Sequence, residues 1–375
     1  MREIYLDFNA STPIDPSVMQ AMRTAAQGGY GNPSSEHWAG TSAKETVETS
    51  RKQVAGLLQC SPGEVVFTSG GSEANNFALK GAFFARRGPT AHFITTQVEH
   101  PSVLAPCAFL ERQGARVTYL PVDGTGLLSP DDVSRAITRD TILISVMHAN
   151  NETGTIQPIE AYARIAREHG VLFHTDAAQS VGKIPTHADV LGADLLSIAG
   201  HKLYAPKGIG ALYVRAGTRL ESLIHGAGHE GGRRAGTESA MLAAGLGTAC
   251  VLAADLGPME RTVRQLRDRF WAALRARLGE RVVLNGHPDR RLPNTLNVSF
   301  VERIGAEILA ALEGIAASTG SACHSGRVQV SPVLRAMGVP ERVGMGAVRF
   351  SLGRTTTADE IAEVVDRIST LLQRS

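Results

Sequence analysis

Seven short apolar runs between residues 64 and 215 constrain this chain more than any other feature. They are Val65-Val66-Phe67, Phe93-Ile94, Val117-Thr118-Tyr119-Leu120, Ile142-Leu143-Ile144-Ser145-Val146, Val171-Leu172-Phe173, Leu195-Leu196-Ser197-Ile198 and Ile209 to Val214. Each is too short for a helix and is followed closely by Gly, Ser, His or Asn. Runs of this kind are strands buried on both faces of a largely parallel sheet. Helical patterns lie between them, one opening at Ser129-Pro130 with a cap residue and a first-turn proline. The expected fold is α/β and layered.

The C-terminal third has a different texture. Val263, Leu266, Phe270, Leu274 and Leu278 mark one face of a helix beginning near Arg261. Leu296, Val298 and Phe300 alternate with polar residues, as do Val348, Phe350 and Leu352. Thr357 and Glu360 form a capping box ahead of Ile361, Val364, Val365, Ile368 and Leu372. This reads as a smaller α+β unit with half-exposed strands, and the boundary falls near Gly257-Pro258.

Composition narrows the function. A length of 375 residues fits about two domains. The formal net charge of +2 argues against a polybasic surface for nucleic acid or membrane. Cys60, Cys107, Cys250 and Cys323 are far apart, so zinc ribbons and dithiol motifs are not expected, and no metal site is assigned. The start, Met1-Arg2-Glu3-Ile4, does not read as a signal peptide. The longest uncharged stretch, Ser239 to Ala254, falls short of the ~18 apolar residues of a spanning helix. A cytoplasmic location with reduced thiols is the expectation.

The chemistry lies just past the strand ends, where open α/β sheets bind ligands. After Phe67 comes Thr68-Ser69-Gly70-Gly71-Ser72, then a helix. Free N–H groups and hydroxyls there suit a phosphate, although such a loop is as often a tight turn. After Phe173 comes His174-Thr175-Asp176-Ala177-Ala178-Gln179, and after Ile198 comes Ala199-Gly200-His201-Lys202. Lysine is scarce: Lys44, Lys52, Lys80, Lys183, Lys202 and Lys207 are the whole set. Lys44, Lys52 and Lys80 read as surface helix positions. An aspartate facing a pyridinium nitrogen, a lysine able to form an imine and a phosphate at a helix start are what pyridoxal 5'-phosphate requires. Asp176 and Lys202 fill the first two roles, and the bland alternative for Lys202 is a solvated loop residue.

Other residues join this set with weaker individual signals. His100, before Pro101, either caps the next helix or stacks on a cofactor ring and moves protons. Gln179 and Asn151 could hydrogen-bond a ring oxygen, and Arg354 could clamp a carboxylate. Cys60, Cys107 and Cys250 read as small buried hydrophobes. Cys323 sits in the polar, Gly-flanked stretch Ser318 to Gly326 beside His324. That setting favours an exposed thiol nucleophile over an incidental one.

Taken together these residues resemble the NifS-like cysteine desulfurases, in the class V aminotransferase family of fold type I pyridoxal phosphate enzymes. The matching segments run in order along nearly the whole chain. They are Tyr5-Leu6-Asp7, Gly31-Asn32-Pro33-Ser34-Ser35, Thr68 to Asn76, Glu99-His100-Pro101-Ser102-Val103, Asn150-Asn151-Glu152-Thr153-Gly154, His174 to Lys183, His201-Lys202, Arg234-Ala235-Gly236-Thr237-Glu238, Gly320-Ser321-Ala322-Cys323 and Arg349 to Arg354. The resemblance implies a large domain over 12–257 with a mainly parallel seven-stranded sheet. A small domain of 1–11 and 258–375 would carry the Cys323 loop.

It further implies that Lys202 holds the cofactor, Asp176 partners its ring nitrogen, His100 stacks on the ring as acid/base, and Gln179 and Asn151 touch the ring oxygen. Gly71, Ser72 and His201 would hold the phosphate, joined by Thr237 from the other subunit of a homodimer. Arg354, with Asn32 and Asn151, would bind the substrate carboxylate. Cys323 would take sulfur from L-cysteine as a persulfide, leaving L-alanine, and pass it to an acceptor protein such as an iron–sulfur scaffold or a thiolation enzyme. The chain also departs from the common pattern. Ala199 stands where many relatives have a phosphate-binding Ser, and His229 replaces a common Gln. Asp7-Phe8-Asn9-Ala10-Ser11 varies the usual Asp-Asn-Asn-Ala-Thr. Ala199, with Ala322-Cys323-His324-Ser325 and Ser331-Pro332-Val333-Leu334, is similar to selenocysteine lyases, which makes L-selenocysteine the alternative substrate.

Overall fold

A computed structural model describes residues 2–86, 90–319 and 329–373. All seven apolar runs are strands. After a short N-terminal strand β1 (Ile4–Tyr5), they form β2 (Val65–Thr68), β3 (His92–Thr96), β4 (Arg116–Leu120), β5 (Thr141–Ser145), β6 (Leu172–Asp176), β7 (Leu195–Ala199) and β8 (Gly210–Val214). The sheet order is β2-β8-β7-β6-β5-β3-β4. β8 pairs antiparallel with β2 and β7, and the other pairings are parallel. The fold is the α/β, fold type I arrangement.

Alternate residues of each strand feed two apolar layers, as a period of two requires. Phe67, Ile144, Phe173, Leu196 and Ile198 pack on one face with Val47 and Val54 of helix Trp38–Leu58 and Leu246 of helix Ala240–Ala253. Val66, Phe93, Leu143, Leu195 and Leu212 pack on the other with Phe77 of helix Gly71–Ala85 and Leu110 of helix Pro101–Arg112. Ser129 stands at the N-cap of helix Pro130–Ala136 with Pro130 in the first turn, although its side chain makes no capping hydrogen bond. Among the described residues no single helix is long and apolar enough to cross a membrane.

A second core lies beyond residue 257. Strands β9 (Val282–Leu284), β10 (Thr295–Phe300) and β12 (Ala347–Ser351) form an antiparallel sheet, and β11 (Ile315–Ala316) pairs with β1. Helix Arg264–Leu278, entered through a π-helical turn at Pro258–Val263, covers this sheet together with helix Ala358–Gln373. The capping box is present: the Thr357 N–H donates to Glu360 Oε2 at 2.8 Å and the Glu360 N–H to Thr357 Oγ1 at 3.3 Å. Ile4, Leu6 and Phe8 of the N-terminal segment join this same core.

One expectation is corrected. β10 and β12 are buried along their whole length, not half-exposed. Their polar residues face other protein groups rather than water. The Asn285 Nδ2 donates to Asn297 Oδ1 and Ser299 Oγ, both at 2.8 Å, and Asn297 Nδ2 donates to the Glu152 carbonyl at 3.0 Å. Alternation identifies two different faces, but it does not say that the polar one is wet.

Candidate active site

Four strand ends converge on one cavity of about 570 Å³. β2 leads to Ser69-Gly70-Gly71-Ser72, β3 to His100, β6 ends at Asp176 and β7 is followed by His201-Lys202, and all of these line it. Asn151, Gln179 and Arg349 line it too. A single edge of the large sheet therefore collects residues from Ser69 to Lys202, because parallel strands deliver their carboxyl ends to one edge.

The lysine and the aspartate share this cavity. Lys202 Nζ donates to the carbonyls of Asn9 at 2.5 Å and Ala10 at 2.8 Å. Burial pushes its amine down to about 8, helped by the nearby Arg349 cation and opposed by Asp7 and Asp176. The carboxylate of Asp176 is 6% exposed, and each oxygen has a donor. Oδ2 accepts from Asn75 Nδ2 at 2.7 Å and Oδ1 from the Ala178 N–H at 2.9 Å.

His100 is tied to Asp176 by a short chain of hydrogen bonds. The Asn75 amide also donates to Ser102 Oγ at 2.8 Å. Ser102 Oγ lies 2.7 Å from His100 Nδ1, and the Ser102 N–H donates to the same nitrogen at 3.1 Å. The backbone donation makes Nδ1 an acceptor, so the ring proton sits on Nε2 and the Ser102 hydroxyl donates to Nδ1. His100 is at once the N-cap of helix Pro101–Arg112 and a cavity residue, so the two readings of it are compatible. Burial lowers its pKa, with Lys202 lowering it further and Asp176 opposing. His201 falls to about 4, through burial first and then the cations around it, chiefly Lys202 and Lys207.

The Gly70-Gly71 turn is shaped for a bulky anion. Gly70 takes φ +150°, a conformation L side chains rarely adopt. A Cβ on Gly71 would lie 3.1 Å from the Ala199 methyl. Helix Gly71–Ala85 has no side-chain cap at Gly70, so its first N–H groups are available to a ligand. Ser72 is exposed at the cavity rim. A phosphate on this turn, an aromatic nitrogen at Asp176 and an aldehyde at Lys202 all find matching groups, so the residues present fit pyridoxal phosphate.

Among the described residues, Arg354 and Asn32 do not line this cavity, and Thr237, expected from the other subunit, does not line it from within this chain. Arg354 lies outside the cavity: its guanidinium stacks 4.6 Å from the Tyr204 ring centroid and its backbone N–H donates to the Tyr204 hydroxyl at 2.8 Å. The arginine that lines the cavity is Arg349 of β12, five residues earlier in the same motif. Its Nη2 donates to Asp7 Oδ1 at 2.7 Å and its Nη1 to the Asn151 carbonyl at 2.9 Å. Its Nε is buried without a partner, and each Nη keeps a second N–H beyond the bonds named. Asn32 accepts from the Ser34 N–H within its own turn, at 2.9 Å, and does not line the cavity. Thr237 lines a neighbouring cavity of about 210 Å³ instead. Cys323 lies outside the described residues. The other three thiols are all raised to about 12 by burial, which makes them poor nucleophiles.

Sequence reasoning passed over Asn9, Lys183 and Arg349. Asn9 is 1% exposed; its carbonyl receives both Lys202 and Gln179 Nε2, the latter at 3.0 Å. Arg349 gave no usable signal, since its alternation with Val348 and Phe350 put it on the face expected to be wet, and only the burial of β12 shows that it needs a partner.

The chain matches the Aminotransferase class-V family over residues 4–364. It is 45% identical over 376 aligned positions to a protein named cysteine desulfurase IscS from Dictyoglomus turgidum (strain DSM 6724 / Z-1310), covering 100% of this chain and 95% of that one. A solved structure titled NifS-like protein superposes with a TM-score of 0.93 at 35% identity, covering 100% of both chains. Another, titled SspA in complex with cysteine, gives a TM-score of 0.83 at 37% identity, covering 94% of this chain and 100% of that one.

Proposed function

The chain belongs to the aminotransferase class-V family, and from that premise we propose that it is a pyridoxal 5'-phosphate-dependent cysteine desulfurase. The observation that carries the reading is that Lys202 and Asp176 line one cavity with the Gly70-Gly71 helix start. A curated relative carries this activity in its name, and a solved relative is titled as a complex with cysteine. Lys202, Asp176, Gln179, His201 and the Gly71-Ser72 turn would hold the cofactor. When bound, it supplies an electron sink beside the substrate Cα.

The protein's own groups supply the rest. Arg349 receives the substrate carboxylate through donors its present partners leave free. Lys202, with its amine lowered to about 8, has a neutral fraction near neutral pH that takes the Cα proton. His100 presents its Nε2 proton to the cavity. The Cys323 thiolate attacks the substrate sulfur: the carbon–sulfur bond breaks, its electron pair stays with carbon, a proton is added there, Lys202 returns a proton to Cα, and alanine leaves while sulfur stays on Cys323 as a persulfide. Transfer to an acceptor protein returns Cys323 to the thiolate. A homodimer would bring Thr237 of the partner subunit to the phosphate. A cytoplasmic setting, where thiols stay reduced, suits this chemistry.

The test is anaerobic alanine formation from L-cysteine and L-selenocysteine, wild type beside Cys323→Ser. Wild type is expected to turn over L-cysteine. The variant should lose roughly a hundredfold or more while keeping its yellow cofactor. Full cysteine turnover by the variant would sink the Cys323 step, and turnover of selenocysteine alone would assign the chain to the lyases.

A further inference from the structure

Lys183 is a buried amine that the mechanism above does not use. It is 3% exposed, and a lysine in such a place is costly unless its hydrogens are satisfied. Burial, with Lys202 and Arg349 as nearby cations, holds its pKa well below the ordinary lysine value. Its Nζ donates to Gln179 Oε1 at 2.9 Å and to Asn9 Oδ1 at 3.3 Å. Asn9 Oδ1 also accepts from Asn294 Nδ2 at 3.0 Å.

These contacts leave the Gln179 side chain one orientation. Both amine hydrogens used here are donors, so the oxygen end of Gln179 must face Lys183. The Asn9 carbonyl can only accept, so the nitrogen end must face Asn9, which it meets at 3.0 Å. The two constraints agree. One Nε2 hydrogen is then spent on Asn9 and the other remains, on a residue that lines the cavity. Without the lysine, the Asn9 carbonyl alone would hold the amide, and the oxygen end would have no donor fixing it.

We propose that Lys183 is a positioning residue that holds the Gln179 amide with its free N–H available to an oxygen acceptor on the cofactor ring. This rests on the pyridoxal phosphate reading of the cavity.

The test measures pyridoxal phosphate affinity of the cofactor-free chain by equilibrium dialysis, and the visible absorption maximum after loading. Lys183→Met, Gln179→Leu and the double variant form one cycle. Lys183→Met should weaken affinity about tenfold and move the maximum, and in the Gln179→Leu background it should change neither further. Gln179→Glu keeps an acceptor for Lys183 but has no N–H, so it should lose affinity while folding intact; it serves if Lys183→Met does not fold. Wild-type affinity and spectrum in Lys183→Met, additive losses in the double variant, or wild-type affinity in Gln179→Glu would each overturn the proposal. Failure of the wild type to bind pyridoxal phosphate would instead overturn the reading beneath it.

Discussion

Asp176 and His100 are joined through two side chains: the Asn75 amide donates to both Asp176 Oδ2 and Ser102 Oγ, and Ser102 meets His100 Nδ1. The carboxylate at the end of β6 thereby helps set which nitrogen of the histidine after β3 carries the proton. In Ser102→Ala the hydroxyl contact is lost, the backbone N–H alone holds Nδ1 as an acceptor, and the preference for the Nε2-protonated ring weakens. Turnover of L-cysteine should fall about tenfold with KM little changed, measured by steady-state alanine formation. A KM effect alone would contradict the tautomer role.

The two arginines of the C-terminal motif make opposite predictions. Arg349 lines the cavity with a buried, unpartnered Nε, whereas Arg354 packs on Tyr204. Arg349→Lys should raise KM for L-cysteine roughly tenfold or more, because a lysine cannot reproduce the planar donor set. Arg354→Lys should leave KM within about twofold and show its effect in thermal stability through the lost stacking. The reverse pattern would restore Arg354 as the carboxylate ligand.

Lys202 must be neutral to react with an aldehyde. Its amine is depressed to about 8, so the rate of pyridoxal phosphate loading should rise with pH through about 8 and level off above it. Arg349 contributes to that depression, so Arg349→Gln should move the midpoint upward. Stopped-flow absorbance on cofactor-free protein reads both. A midpoint near the ordinary lysine value of 10.5 would show that the amine is not depressed.

Glu99 predicts how stability varies with pH. It is buried, accepts from Thr96 Oγ1 at 2.8 Å and the Met147 N–H at 3.0 Å, and burial lifts its pKa from 4.5 to about 8. The native side chain therefore keeps its proton where the unfolded one has lost it. Stability attributable to this group is full below the unfolded pKa of 4.5 and is lost as pH rises toward about 8, by an amount on the order of a few kcal/mol. Chemical denaturation at pH 5 and pH 8.5 should show the decline, and Glu99→Gln should flatten it. A variant with the wild-type slope would place the titration elsewhere.

How much of this was legible in the chain follows from which interactions are local. Burial on both faces leaves an uninterrupted apolar run, so all seven strands of the large sheet could be read directly, and the C-terminal capping box was equally visible because its partners are three residues apart. The strand-end rule then led from those runs to Asp176, His100 and Lys202. Arg349 and Arg354 could not be separated that way. Both follow the same motif, and only the packing of β12 against Asn151 and Asp7 turns one toward the cavity while Tyr204 captures the other.

The order of apolar and polar residues along this chain was enough to determine the layered α/β fold, and its local motifs were enough for the family resemblance, since these depend on periodicity and on residues a few positions apart. The tertiary structure alone decided which polar groups meet. Asn9 comes from one part of the chain and Gln179, Lys183 and Lys202 from another. Their hydrogen bonds exist only once the N-terminal segment has crossed from one core to the edge of the other, and a side chain's partner, unlike its period, is set by what the fold places opposite it.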